Sequence, residues 1–260
     1  MLREKAMIKW IIFFLLVFLP VISFSQDEQK IRPFFPNVEK TSAFDIKIDR
    51  EKKEAKTLFL PWLLIYKAVR TEDLSVCQTE DCKNKARDLL QTRYMGEGRC
   101  EKLISKSEQE LCKAMKSNEC RKLSDVKGDL CQAILDEDVD RMVELMNQAA
   151  LSQKTSGIKK TNKDKRSKYQ GILSGFKHYS PVACERHLNN TNLPLLDKLS
   201  CDILFSADVD KEIDDLLTDL AFLNLSYKEG DRNLCNRIKN AIIKKTCTTS
   251  RKKNISELFL

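Results

Sequence analysis

Ten cysteines set the terms on which this chain can fold: Cys77, Cys82, Cys100, Cys112, Cys120, Cys131, Cys184, Cys201, Cys235 and Cys247. Whether they act as thiols, metal ligands or disulfides depends on the compartment, and the N-terminus speaks to that. Arg3, Lys5 and Lys9 give a positive start. An apolar run from Trp10 to Ile22 follows, interrupted by Pro20, and Ser23 and Ser25 then sit three residues and one residue before a cleavage point at Gln26. The run is about as long as a signal-peptide core and shorter than the roughly 20 residues of a membrane-spanning helix. The pattern predicts a signal peptide over residues 1–25, cleaved after Ser25, and a secreted or periplasmic mature chain without a transmembrane span. No cysteine follows the apolar run directly, which argues against a lipoprotein anchor.

In an oxidising compartment an even number of cysteines reads first as disulfides. The competing reading, structural zinc, wants short Cys-x-x-Cys pairs, usually helped by histidine. Here the cysteines are mostly widely spaced, and His178 and His187 are the two histidines of the chain. No metal and no cofactor is expected. With 7 glycines and 6 prolines in 260 residues, the frequent turns of a many-stranded β fold have little to draw on. The expected class is all-α, built of short disulfide-linked helical hairpins in a repeat-like series.

The cysteines also carry an internal pattern. Cys100-Glu101-Lys102-Leu103 matches Cys120-Arg121-Lys122-Leu123, and Leu111-Cys112-Lys113-Ala114 matches Leu130-Cys131-Gln132-Ala133. A looser third copy runs from Cys184 to Cys201. In one unbroken helix Cys100 and Cys112 would lie about 18 Å apart, whereas a disulfide needs Cα atoms about 4.4–6.8 Å apart. The chain must therefore turn between them. Ser107-Glu108-Gln109-Glu110 offers a capping box, Gly128-Asp129 a break before Cys131, and Asn189 to Asn192 a break before Cys201. The expected pairs are 100–112, 120–131 and 184–201. Arg237 to Thr246 carries no turn signal, so Cys235 and Cys247 read as opposite ends of one helix, bonded elsewhere. Thr79 offers a cap between Cys77 and Cys82. The pairing of these last four stays open.

Around the cysteines the chain divides as follows. Residues 26–57 read as an extended polar arm, with Pro33 and Pro36 bracketing Phe34 and Phe35. Residues 58–152 form a helical cysteine-repeat region, beginning with an apolar helix that Pro61 opens. Within it, Cys82, Ala86, Leu89 and Leu90 share a face ahead of a stop at Gly96. Val139, Met142, Val143, Met146 and Ala150 form a core stripe capped by Asp136. Residues 153–170 form a basic linker. Residues 171–260 form a second helical region, with Pro181 after Ser180 and Pro194 after Asn192 at helix starts. Ser206 there caps a helix whose apolar face is Ile213, Leu216, Leu217 and Leu220, and a last helix carries Cys235, Ile238 and Ile242.

Catalytic signatures are absent: there is no nucleophile elbow, phosphate-binding loop, dinucleotide fingerprint or paired-histidine zinc motif. His187, three residues after Cys184, reads as a helix histidine rather than a catalytic base. Asp136, Asp138 and Asp140 have calcium-loop spacing, but Arg141 stands where the loop needs glycine and Asn147 where it needs glutamate. Asp208, Asp210, Glu212, Asp214 and Asp219 fail in the same way at Ile213. Both clusters read as acids at helix N-termini.

The basic run of Lys159, Lys160, Lys163, Lys165, Arg166 and Lys168 is the leading binding candidate, suited to anionic envelope, membrane or glycan surfaces. It lacks the interleaved aromatics of a nucleic-acid stacking surface, so no nucleic acid is expected. Removing residues 1–25 takes away three basic residues and one acidic residue, leaving +6 of the chain's +8. Asn189, Asn224 and Asn254 head glycosylation sequons. Three readings of function stand: a non-enzymatic scaffold that binds a protein partner, a cationic protein of anionic surfaces, and an enzyme of unrecognised type.

Overall fold

A computed structural model describes residues 42–152, 163–188 and 193–249, and every regular element among them is helical. Residues 1–25, expected as a signal peptide, the part of the expected arm up to residue 41, Lys159, Lys160, Asn189 to Asn192 and Asn254 lie outside the described residues. No described helix is long and apolar enough to cross a membrane.

The first helix, α1 (Ala43–Thr71), corrects two expectations at once, because residues 43–57 are helix rather than extended arm, and Pro61 lies inside it rather than at its start. Its start is encoded by a capping box: the Ser42 side chain accepts from the Asp45 N–H while Asp45 accepts from the Ser42 N–H. Glu51, Ala55, Phe59, Leu63 and Tyr66 recur at three- and four-residue steps on its buried face. A buried glutamate at the head of that stripe is what hides it from a hydrophobicity reading. Pro61 and Thr57, whose carbonyl loses its helical donor, are both on the exposed side, where water replaces the missing bond.

The remaining helices are α2 (Glu80–Gly96), α3 (Lys106–Ser117), α4 (Asp125–Leu135), α5 (Val139–Ser152), α6 (Lys163–His178) and α7 (Pro181–Leu188). After them come α8 (Leu195–Lys198), α9 (Ser200–Phe205), α10 (Val209–Glu229) and α11 (Ala241–Thr249). α1 lies against α10, α2 and α9. The main core joins Phe59, Leu63 and Tyr66 of α1 to Leu216, Leu220 and Leu223 of α10 and to Ile172 and Phe176 of α6. A smaller core joins Met115, Ile134, Met142, Leu145 and Leu173.

Five disulfides connect Cys77–Cys82, Cys100–Cys112, Cys120–Cys131, Cys184–Cys201 and Cys235–Cys247. Three of them share one local construction. Cys100 opens a 3₁₀ turn closed by the Leu103 N–H on its carbonyl (3.3 Å), and Ser105 then precedes α3, which carries Cys112. Cys120 repeats this with the Leu123 N–H (3.1 Å), Ser124 and α4. Cys235, inside a longer 3₁₀ segment (Arg232–Arg237), makes the same closure with the Ile238 N–H (3.3 Å), followed by Asn240 and α11. The third segment thus runs in the register of the first, with an apolar residue three after the cysteine, a helix start after the fifth and the partner cysteine at the twelfth.

Several expected signals lie elsewhere. The unbroken helix expected between Cys235 and Cys247 is interrupted because Asp219 of α10 accepts from the Lys239 and Asn240 N–H groups. Asn240 in turn caps α11 through the Ile242 and Ile243 N–H groups. Helix α3 starts after Ser105 rather than at a Ser107 box, and Gly128 lies inside α4 rather than at a turn. A Cβ there would sit 3.0 Å from the Cys120 carbonyl oxygen, so the glycine allows the 3₁₀ turn to pack on the helix. Asp138 rather than Asp136 caps α5, through the Arg141 N–H (2.9 Å). Asp208 rather than Ser206 caps α10, through the Lys211 N–H (3.0 Å). Pro194 flanks α8 as its cap residue, and Thr79 caps α2 between Cys77 and Cys82. The basic stretch from Lys163 onward is the start of α6, not a linker.

Candidate ligand-binding groove

The described basic residues of the run 159–168 do not form one surface. Lys163 pairs with Asp140 of α5 at 2.8 Å. Lys165 lies over the Tyr169 ring, 6.0 Å from its centroid. Lys168 pairs with Asp197 at 2.6 Å, and the same carboxylate accepts from the buried Tyr66 hydroxyl at 2.6 Å. Arg166 differs from all three. It shares a face of α6 with Gln170 and Leu173, four and seven residues on, and that face forms one wall of a cavity of about 450 Å³.

Five helices line this cavity, which is open to solvent on one side. α2 contributes Met95, α3 Leu111, α4 Leu130 and Ile134, α5 Met142 and Met146, and α6 Leu173. The α5 stripe is therefore divided: Met142 is buried in the smaller core and also reaches the cavity, while Met146 lines the cavity alone. Asp88, Glu108 and Lys127 stand among the lining residues, Lys127 with Glu110 at 3.7 Å. The volume lies within the range of about 300–1,000 Å³ common for small-molecule sites, and the mix of apolar walls with a few convergent polar groups is theirs too.

Two polar atoms in the α6 wall have no partner among the described residues: Nε of Arg166 and Oε1 of Gln170, both buried. Gln170, 1% exposed, donates its amide nitrogen to the Ile134 carbonyl (3.3 Å) and the Ser174 hydroxyl (3.0 Å). A carbonyl can only accept, so the amide nitrogen must face Ile134 and the oxygen is the atom left over. Burial pulls the Arg166 guanidinium below its ordinary pKa, with the Tyr169 hydroxyl acting in the opposite sense. Burial raises the Tyr169 hydroxyl, and the Asp88 charge adds to it. Buried polar atoms are nearly always paired, and each orphan costs about 1–3 kcal/mol in lost solvation.

The other candidate residues are accounted for by pairing. His187 meets Glu137 at 3.0 Å, where His178 (3.5 Å) and Arg186 (3.6 Å) also converge. Burial pushes the Glu137 carboxyl up, but hydrogen bonds from His187 and Ser174 and the charges of His187 and Arg186 outweigh it and hold the group below its ordinary value. Glu137 sits in the α4–α5 turn with φ of 59°, so this cluster ties that turn to α6 and α7. Of the acidic clusters, Asp138 and Asp208 cap helices, and Asp219 accepts from the Lys239 and Asn240 N–H groups. Asp210 pairs with Lys67, and Asp214 with Lys52 at 2.7 Å. No group of three metal-ligating side chains occurs among the described residues. The amide of Asn224 is buried and donates to Glu51 at 2.7 Å, which closes that sequon in the folded protein.

Gln170, Tyr169, Met95, Leu111 and Leu130 escape a reading of the sequence because their convergence is tertiary. Only the i, i+4, i+7 relation of Arg166, Gln170 and Leu173 is visible locally. No protein-family model matches the chain, no curated protein is significantly similar to it, and no solved structure resembles it at that level.

Proposed function

We propose that the chain is an exported, non-enzymatic binding protein whose groove between α2, α3, α4, α5 and α6 holds an apolar small molecule. The observation that carries this reading is the cavity of about 450 Å³ walled by Met95, Leu111, Leu130, Met142, Met146 and Leu173. Five disulfides support an oxidising environment, in keeping with a signal peptide over residues 1–25. The stapled segments act as the scaffold, since α3 and α4, each fixed by its own disulfide, carry two of the walls. Binding to anionic surfaces through the whole basic run is the less favoured reading, because Lys163 and Lys168 are engaged by Asp140 and Asp197.

Titration with N-phenyl-1-naphthylamine, an uncharged apolar fluorophore, tests the groove. Saturable enhancement at one site per chain is expected. Leu130→Trp fills the groove from a partly exposed position and should weaken binding at least tenfold, with the thermal melt unchanged. Absence of saturable binding, or equal binding by the filled variant, removes the proposal.

A further inference from the structure

Resting on that reading of the groove, we infer that its natural ligand is an amphiphile whose polar end carries an anionic oxygen next to a hydrogen-bond donor. The anion meets Arg166, the donor meets Oε1 of Gln170, and the chain lies along the methionine and leucine walls.

An uncharged apolar occupant would leave the polar part of the wall unsatisfied. It covers the walls but strands a guanidinium N–H and an amide oxygen, both already buried and both without a partner among the described residues. No described carboxylate neutralises Arg166, whereas Lys163 and Lys168 of the same helix each have one. Asp88 and Glu108 line the same groove but neither pairs with Arg166, so a cationic head placed at that residue would meet an unpaired like charge and be repelled. An anion satisfies it, and the planar fork of arginine suits an oxyanion better than a point charge does. Residues four apart on a helix have Cβ atoms about 5–6 Å apart, so Arg166 and Gln170 serve one head group only if its donor is close to its charge. A carboxylate beside an amide N–H and a phosphate beside a hydroxyl share that chemistry; a plain fatty acid lacks the donor and a fatty alcohol lacks the charge.

Competition against N-phenyl-1-naphthylamine, with twelve-carbon ligands held below their critical micelle concentrations, separates these cases. Dodecanoate should bind on the order of tenfold tighter than dodecanol, and N-dodecanoylglycine several-fold tighter again, as expected for one charge-assisted and one neutral hydrogen bond. Dodecyltrimethylammonium should compete least. Arg166→Met should erase the preference for anions, so that dodecanoate competes no better than dodecanol, and Arg166→Lys should restore part of it. Gln170→Leu should erase only the advantage of N-dodecanoylglycine over dodecanoate. Dodecanoyl lysophosphatidic acid against N-dodecanoylglycine assigns the source, phosphate or carboxylate, and either ranking supports the inference if one of the two exceeds dodecanoate. If the fluorophore binds but all heads compete equally, or the order survives Arg166→Met, the head-group inference falls and the groove stands. If the fluorophore does not bind, both fall.

Discussion

Glu72 ends α1 in the left-handed region, with φ of 56°, and gathers three basic side chains. Arg99 grips it with both terminal nitrogens, Arg93 approaches to 3.2 Å, Lys102 to 3.1 Å, and the Tyr94 hydroxyl donates at 3.3 Å. The Arg99 hydrogen bonds lead in holding its pKa down to about 2 from an ordinary 4.5, although partial burial works against them. A carboxylate depressed by folding adds stability that is complete above its unfolded value and vanishes as pH falls through the folded one. Between pH 4.5 and 2 the wild type should therefore lose a contribution on the order of 1 kcal/mol after solvent screening. Glu72→Gln should start lower at neutral pH and show a correspondingly shallower acid decline in its urea midpoint. Parallel profiles for the two proteins would show that the cluster contributes nothing. Arg166 makes the converse point at this scale. Its neighbours in sequence are lysines that look alike, and nothing local distinguishes it until its fourth and seventh successors turn out to line a cavity.

At the level of elements, α6 and α7 meet at unusually close range, and two glycines permit it. A Cβ on Gly171 would lie 2.8 Å from the Cys184 carbonyl oxygen, and one on Gly175 would lie 2.8 Å from the Cys184 Cβ and 2.5 Å from the Phe205 ring. In an open helix, alanine for glycine gains about 1 kcal/mol. Here the obstacle at Gly171 is backbone, which cannot swing aside, so Gly171→Ala should destabilise by about 1–3 kcal/mol instead. Chemical denaturation checks the sign, and a stabilised variant would mean that the two helices do not approach as described. The same scale explains what the sequence reveals about elements. The pairs 100–112 and 120–131 are legible because the turn between each pair's cysteines is made by residues that lie between them. The pair 235–247 is not, because its turn depends on Asp219, twenty residues upstream of Lys239. α1 is half legible: its apolar second half is plain, while its first half is polar except at positions that only the packed α10 identifies as buried.

Across the whole molecule the five disulfides share one property: none spans more than 17 residues of sequence. They staple neighbours and leave the joining of α1, α6 and α10 to apolar packing, with the buried Asn224–Glu51 hydrogen bond added between α1 and α10. Their loss should therefore be felt according to the core each one sits in. Closing a loop of this size is worth about 3 kcal/mol in the chain-entropy account. Cys184 and Cys201 are fully buried in the main core, so replacing both by alanine should lower the global melt. Cys100 and Cys112 instead share a small cluster in which Leu103 is the other buried residue, with Tyr94 and Met95 packed against it. Without that bond α3 keeps only the burial of Ala114 and Met115 in the smaller core, and its opening need not unfold the rest. The Cys100→Ala, Cys112→Ala double variant should lose amide-exchange protection across Lys106–Ser117 while α1 and α10 keep theirs. It should also bind N-phenyl-1-naphthylamine at least several-fold more weakly, because α3 supplies the Leu111 wall of the groove. Uniform loss of protection would show that the staple belongs to the global fold. Full protection of α3 with unchanged binding would show that packing alone sets the wall, and the link between oxidation and ligand capture would then be broken.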